Sequence, residues 1–68
     1  MKPISGKNLA KLLVKRGWIL VRTQGSHHRY LSPDGVTSVS VPVHGNEDMK
    51  RGTQHTLMKS AGLTDADL

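Results

Sequence analysis

The chain has 68 residues, room for one small domain with one core, and at this size folding still leaves roughly 40% of the chain's surface exposed. Cysteine is absent, which excludes disulfides and thiolate–zinc sites and leaves stability to packing. Ten Lys and Arg against five Asp and Glu give a net charge of +5 and a pI near 10.1, a balance that favours a polyanionic partner, nucleic acid first and an acidic protein second.

The charge is unevenly placed. Asp34 aside, the acids are Glu47, Asp48, Asp65 and Asp67, so residues 1–30 carry seven Lys or Arg and no acid. No apolar run approaches the roughly 18 residues of a membrane span, and Met1-Lys2-Pro3-Ile4 opens no secretory segment. The expectation is a soluble cytoplasmic protein with no membrane partner.

In chain order, "ISGKNLAKLLVKRG" reads as a helix. Ser5 stands at the N-cap, and Leu9, Ala10, Leu12, Leu13 and Val14 recur at helical spacing. Lys7, Lys11 and Lys15 lie opposite, and Gly17 closes the helix. "WILVRT", residues 18–23, is β-branched and aromatic and predicts a first strand, with Gln24-Gly25-Ser26 as the turn. Residues 27–32 form a second strand, Ser32-Pro33-Asp34-Gly35 is a turn, and "VTSVSVPV" alternates as a third strand with Val39 and Val41 on one face. Pro42 confines that strand to an edge or a strand end. "HGNEDMKRG" is a loop. A second helix over residues 52–61 presents Leu57, Met58 and Ala61, and Gly62 stops it. Residues 64–68 read as a frayed extra turn or a disordered tail.

The expected architecture is therefore a single α+β domain, residues 1–68, of order α-β-β-β-α. Both helices pack on one face of a three-stranded antiparallel sheet, since each has one apolar stripe. That order is similar to the double-stranded-RNA-binding domain. The other face of the sheet is left to solvent or ligand.

"GSHHRY" raises a separate question, because a buried imidazole needs hydrogen-bond partners and a core strand is a poor place for two. The strand's period of two sends His27, Arg29 and Leu31 to one face and His28 and Tyr30 to the other. If Tyr30 packs toward the helices with Val39 and Val41, His27 and Arg29 share the open face. A metal site finds little support: there is no His-x-x-x-His on a helix, no cysteine, and no acid near His27 and His28.

Five segments, "SGKNLAKLLVKRGW", "GSHHRY", "SPDG", "VPVHG" and "GTQHTLMKSAGL", together resemble the HicA-type toxins, messenger-RNA interferases of toxin–antitoxin modules. The resemblance covers nearly the whole chain. It departs at Gln54 and His55, where an apolar and a basic residue are expected. It implies a fold like the double-stranded-RNA-binding domain, a metal-independent endoribonuclease without cofactor, and a HicB-type antitoxin as partner beside RNA. It also implies that the histidine of Gly-Ser-His, here His27, is catalytic, with His28 as the alternative, and that His44 lines the same site or caps the strand end.

The chemistry fits the residue type. An imidazole can take the proton of a ribose 2′-hydroxyl near neutral pH, and the oxygen then attacks the adjacent phosphorus. Arg29, with Arg22 and Lys50 or Arg51 as candidates, neutralises charge developing on the phosphate. Gly25 and Ser26 form the turn beside it, where the Ser26 hydroxyl or backbone N–H can orient the ring or a phosphate. For the group that protonates the leaving 5′-oxygen, His28, His44, a lysine and water stay open. The rivals are a non-catalytic module of the same fold that binds double-stranded RNA, and a module that binds an acidic protein. The second explains the charge without explaining "GSHHRY".

Overall fold

In the computed structural model, which describes residues 2–68, the elements are α1 (Gly6–Lys15), β1 (Ile19–Gln24), β2 (His27–Leu31), β3 (Ser38–Pro42) and α2 (Arg51–Ala61), followed by a 3₁₀ turn at Asp65–Asp67. The sheet is antiparallel with β2 in the centre. The order α-β-β-β-α and the α+β class are those expected from the sequence.

The ends of the helices follow from local chemistry. The Ser5 hydroxyl accepts the Asn8 N–H at the start of α1, satisfying one of the four free N–H groups of a first turn. At its end, Trp18 N–H donates to the Leu13 carbonyl at 2.9 Å and Gly17 N–H to that of Val14 at 3.0 Å. With Gly17 at φ 92°, this is a Schellman closure, and the buried Trp18 and Leu13 supply its hydrophobic contact. α2 ends the same way, with Leu63 N–H on the Met58 carbonyl and Gly62 at φ 70°. Trp18, expected within the first strand, instead ends this closure as a core residue, and β1 begins one residue later.

The core is one layer between the sheet and the two helices. Leu9, Ala10 and Leu13 of α1 and Leu57 and Met58 of α2 bury against Tyr30, Val39 and Val41, with Trp18 and Leu63 at the ends. Both helices therefore lie on one face of the sheet. Val14, counted with the apolar stripe from its spacing, is 54% exposed. It follows the fully buried Leu13 and lines an open groove with His28 and Tyr30 rather than entering the core. No described helix is long and apolar enough to cross a membrane.

Two contacts set how the layers meet. Gly6 is buried at the first position of α1, where an added Cβ would come 1.8 Å from the Pro42 carbonyl oxygen of β3. Only a residue without a side chain permits that approach. Gln54 of α2 is 1% exposed, and its side chain accepts the Ile4 N–H at 3.2 Å and donates to the Lys2 carbonyl at 2.6 Å. The departure at position 54 from the expected apolar residue is thus a polar clamp that holds the N-terminal segment to α2. The 3₁₀ turn is tied back as well. Thr64 N–H and the Arg16 guanidinium both donate to Asp67, and these bonds hold its carboxyl below the usual carboxylate range.

Gly6→Ala forces the helix start off the strand, and a loss of about 1–3 kcal/mol or more is expected from the overpacking, read as a lowered midpoint in urea or thermal unfolding. Gln54→Leu fills the same space but strands the part-buried Ile4 N–H, which costs up to roughly 1–3 kcal/mol. Unchanged midpoints in either variant would show that the contact does not restrain the fold.

Candidate functional site

The site begins at a two-residue turn. Gln24 pairs with His27 across β1 and β2, leaving Gly25 and Ser26 as the loop. Gly25 has φ 58°, and no described non-glycine residue has a positive φ, which is the pattern of a type II′ hairpin with glycine first. The Ser26 carbonyl accepts the Val43 N–H at 2.6 Å, so pairing between the second and third strands continues one step past His27 and Pro42. His27 is thereby fixed as the first residue of β2, with register partners on both sides.

Register sorts the side chains between faces, because cross-strand partners share a face. Tyr30 pairs with Val39, and His28 with Val41, on the helix side. His27 pairs with Pro42 and Gln24, and Arg29 with Ser40 and Arg22, on the open side. His27, Arg22 and Arg29 are exposed and share that open face, as expected once Tyr30 packs inward.

A register shift between Leu20 and Arg22 leaves Val21 as an extra residue in β1. This bulge, not expected from the sequence, reverses the alternation so that Leu20 joins Tyr30 and Ile19 joins Leu31, while Arg22 stays opposite Arg29. Two guanidiniums directly opposite each other are unfavourable unless an anion lies between or near them. Neither makes an ion pair among the described residues, whereas Arg16 is paired with Asp67.

Beside His27 the open face ends in a cleft of about 470 Å³, lined by Ser40 and Pro42 of β3, His44, Glu47, Asp48, Met49 and Lys50 of the following loop, and Thr53 of α2. The loop is held by the N-terminal segment. Met49 N–H donates to the Ile4 carbonyl at 3.0 Å, and Ser5 bridges to Asp48. His27, His44 and Lys50, separate in the sequence, converge here. No group of three or more His, Cys, Asp or Glu among the described residues could hold a metal ion.

The other candidates lie elsewhere. His28 is half-buried and faces a groove of about 350 Å³ on the helix side, with Lys7, Ala10, Lys11, Val14, Tyr30 and Val43. Arg51 lines a separate depression with Pro3, Met49 and Gln54, and Gly25 and Ser26 occupy the turn at the sheet's end. Ser40 and Thr53 are not candidates from the sequence. The alternation of "VTSVSVPV" carries the signal for Ser40, since a small polar residue on the open face leaves room beside His27. Thr53 has no such signal, because its place depends on how the loop returns to α2.

The family model described as the HicA toxin of bacterial toxin-antitoxin matches residues 6–63 of the 68-residue chain, from the buried Gly6 to the Leu63 that closes α2. No curated protein matches the chain.

Proposed function

Since the chain belongs to the HicA toxin family of toxin–antitoxin modules, we propose that it is a metal-independent endoribonuclease that cleaves messenger RNA with His27 as general base. The observation that supports this reading best is the position of His27: exposed, at the mouth of a cleft, on the same face as the guanidiniums of Arg22 and Arg29. A core histidine would have its ring nitrogens bonded inside the protein. This one is open to a substrate.

The phosphodiester backbone lies across the open face. Arg29 and Arg22 neutralise phosphate charge along β2 and β1, and Lys50 does so inside the cleft, where Glu47 and Asp48 would otherwise repel it. The Gly25–Ser26 turn adds a hydroxyl beside the ring. His27 removes the 2′-hydroxyl proton, and the resulting oxygen attacks phosphorus in line with the departing 5′-oxygen. Arg51 lines a neighbouring depression that shares Met49 with the cleft, and in this reading it makes no contact with the scissile phosphate. The partner in this reading is a HicB-type antitoxin whose carboxylates compete with phosphate for Arg22 and Arg29 and cover His27. A non-catalytic module that binds double-stranded RNA would use the same cations but has no need of an exposed histidine beside a cleft.

His27→Ala should leave the unfolding midpoint within about 0.5 kcal/mol of the parent, as for other exposed positions, while lowering cleavage by about 10²–10⁴-fold. His28→Ala should retain cleavage. Retained cleavage by the first variant together with loss in the second would reassign the base to the helix-side groove. Affinity for an uncleavable RNA, with 2′-deoxy residues at the scissile positions, should fall steeply with salt. Arg29→Ala should reduce the slope of log K against log salt by about 0.7–0.9, the share of one phosphate that is no longer neutralised. An unchanged slope would remove Arg29 from the RNA surface.

A further inference from the structure

We propose that His44 is the general acid that protonates the leaving 5′-oxygen, an assignment that rests on the reading of His27 as base. Sequence alone leaves the acid open among His28, His44, a lysine and water. The structure separates the two histidines. His28 lies on the opposite face of the sheet, in the groove beside Lys7 and Lys11, so it cannot reach a phosphate held at His27. His44 lines the His27 cleft.

The backbone explains why the two histidines face one space. The bond from Val43 N–H to the Ser26 carbonyl carries the β2–β3 pairing one step past His27 and Pro42. Along this extension the sides alternate. Pro42 lines the cleft and Val43 lines the helix-side groove, which returns His44 to the cleft. His44 is then two residues past the register partner of His27, the diagonal position, where neighbours in a sheet stand about 7–8 Å apart with their Cβ atoms somewhat closer. Both side chains line the same cleft of about 470 Å³, and the scissile phosphate sits there in the proposed reaction. The His44 carbonyl accepts the Glu47 N–H at 3.0 Å, with Gly45 at φ 57° inside the turn, so the backbone at position 44 is fixed by bonds that do not involve its ring.

The remaining titratable groups of the cleft are Glu47, Asp48 and Lys50. Lys50 is already set against the phosphate charge, and of these side-chain types imidazole is the one that most often moves a proton in catalysis. In the step itself the 2′-hydroxyl proton passes to His27 and the 2′-oxygen bonds to phosphorus. The bond from phosphorus to the 5′-oxygen breaks with its electron pair on oxygen, and the proton of the His44 imidazolium goes to that oxygen. The products are a 2′,3′-cyclic phosphate and a free 5′-hydroxyl, with no other reactant consumed.

The test compares two RNA oligonucleotides, one ordinary and one with sulfur in place of the bridging 5′-oxygen at the scissile linkage. A thiolate departs without protonation. His44→Ala should slow the ordinary linkage by about 10²–10⁴-fold and cleave the sulfur linkage within a few-fold of the parent. His27→Ala should be slow on both. Equal loss on both linkages in His44→Ala would make His44 a positioning residue, and no loss on either would remove it from the reaction; both outcomes overturn the proposal. His27→Ala cleaving both at the parent rate would instead defeat the reading of His27 as base. His44→Gln repeats the comparison with a ring-free side chain that keeps polar bulk, and the same pattern is expected.

Discussion

The contact on which the arrangement depends is the approach of Gly6 to the Pro42 carbonyl, where a methyl group would stand 1.8 Å from oxygen. It joins the first turn of α1 to the end of β3, at the residue paired with His27. Its neighbours extend the same junction: Ser5 caps α1 and bridges to Asp48, and the Ile4 carbonyl accepts the Met49 N–H. The loop that forms one wall of the cleft is therefore held by the segment that starts the first helix. Gln54 closes the circle by bonding Lys2 and Ile4 from α2. Packing of a helix start against a strand end thus becomes, within a few residues, the geometry of the candidate site.

The sheet divides two tasks that compete in so short a chain. Its helix side carries Tyr30, Val39 and Val41, whose burial contributes to a core built without disulfides, each such side chain being worth about 1.5–3 kcal/mol. Its open side carries His27, Arg22, Arg29 and Ser40, which do little for stability and are available to a ligand. Because alternate residues of the same strands serve both sides, a register slip of one residue would exchange core for site. The hairpin turn at Gly25–Ser26 and the Ser26–Val43 bond guard against that slip at the end where His27 stands.

Much of this is legible in the sequence because it is local. Caps, closing glycines and period-two alternation act over a few residues, so the element order, the Ser5 cap, the Gly17 and Gly62 stops and the separation of Tyr30 from His27 and Arg29 follow from spacing. What is not legible depends on distant partners. The bulge at Val21 places Leu20 by its neighbours on β2. Gln54 looks like a departure from an apolar pattern until residues 2 and 4 come to lie against it. Of the two adjacent cations Lys50 and Arg51, the first lines the cleft and the second a neighbouring depression, a division that falls where α2 begins, with Lys50 as its N-cap. His44 joins His27 in the cleft just past the last bond between β2 and the end of β3, a placement that depends on how the chain leaves that strand.

The central claim is attack by a ribose 2′-hydroxyl activated at the His27 cleft, and the ends of the cleaved RNA report on it most directly. Purified protein is incubated with a defined RNA oligonucleotide in the presence of a chelator, and the fragments are weighed by mass spectrometry. Fragments ending in 2′,3′-cyclic phosphate, or its hydrolysed monophosphate, with 5′-hydroxyl partners are expected. Fragments with 3′-hydroxyl and 5′-phosphate ends, or cleavage that stops with the chelator, would contradict it.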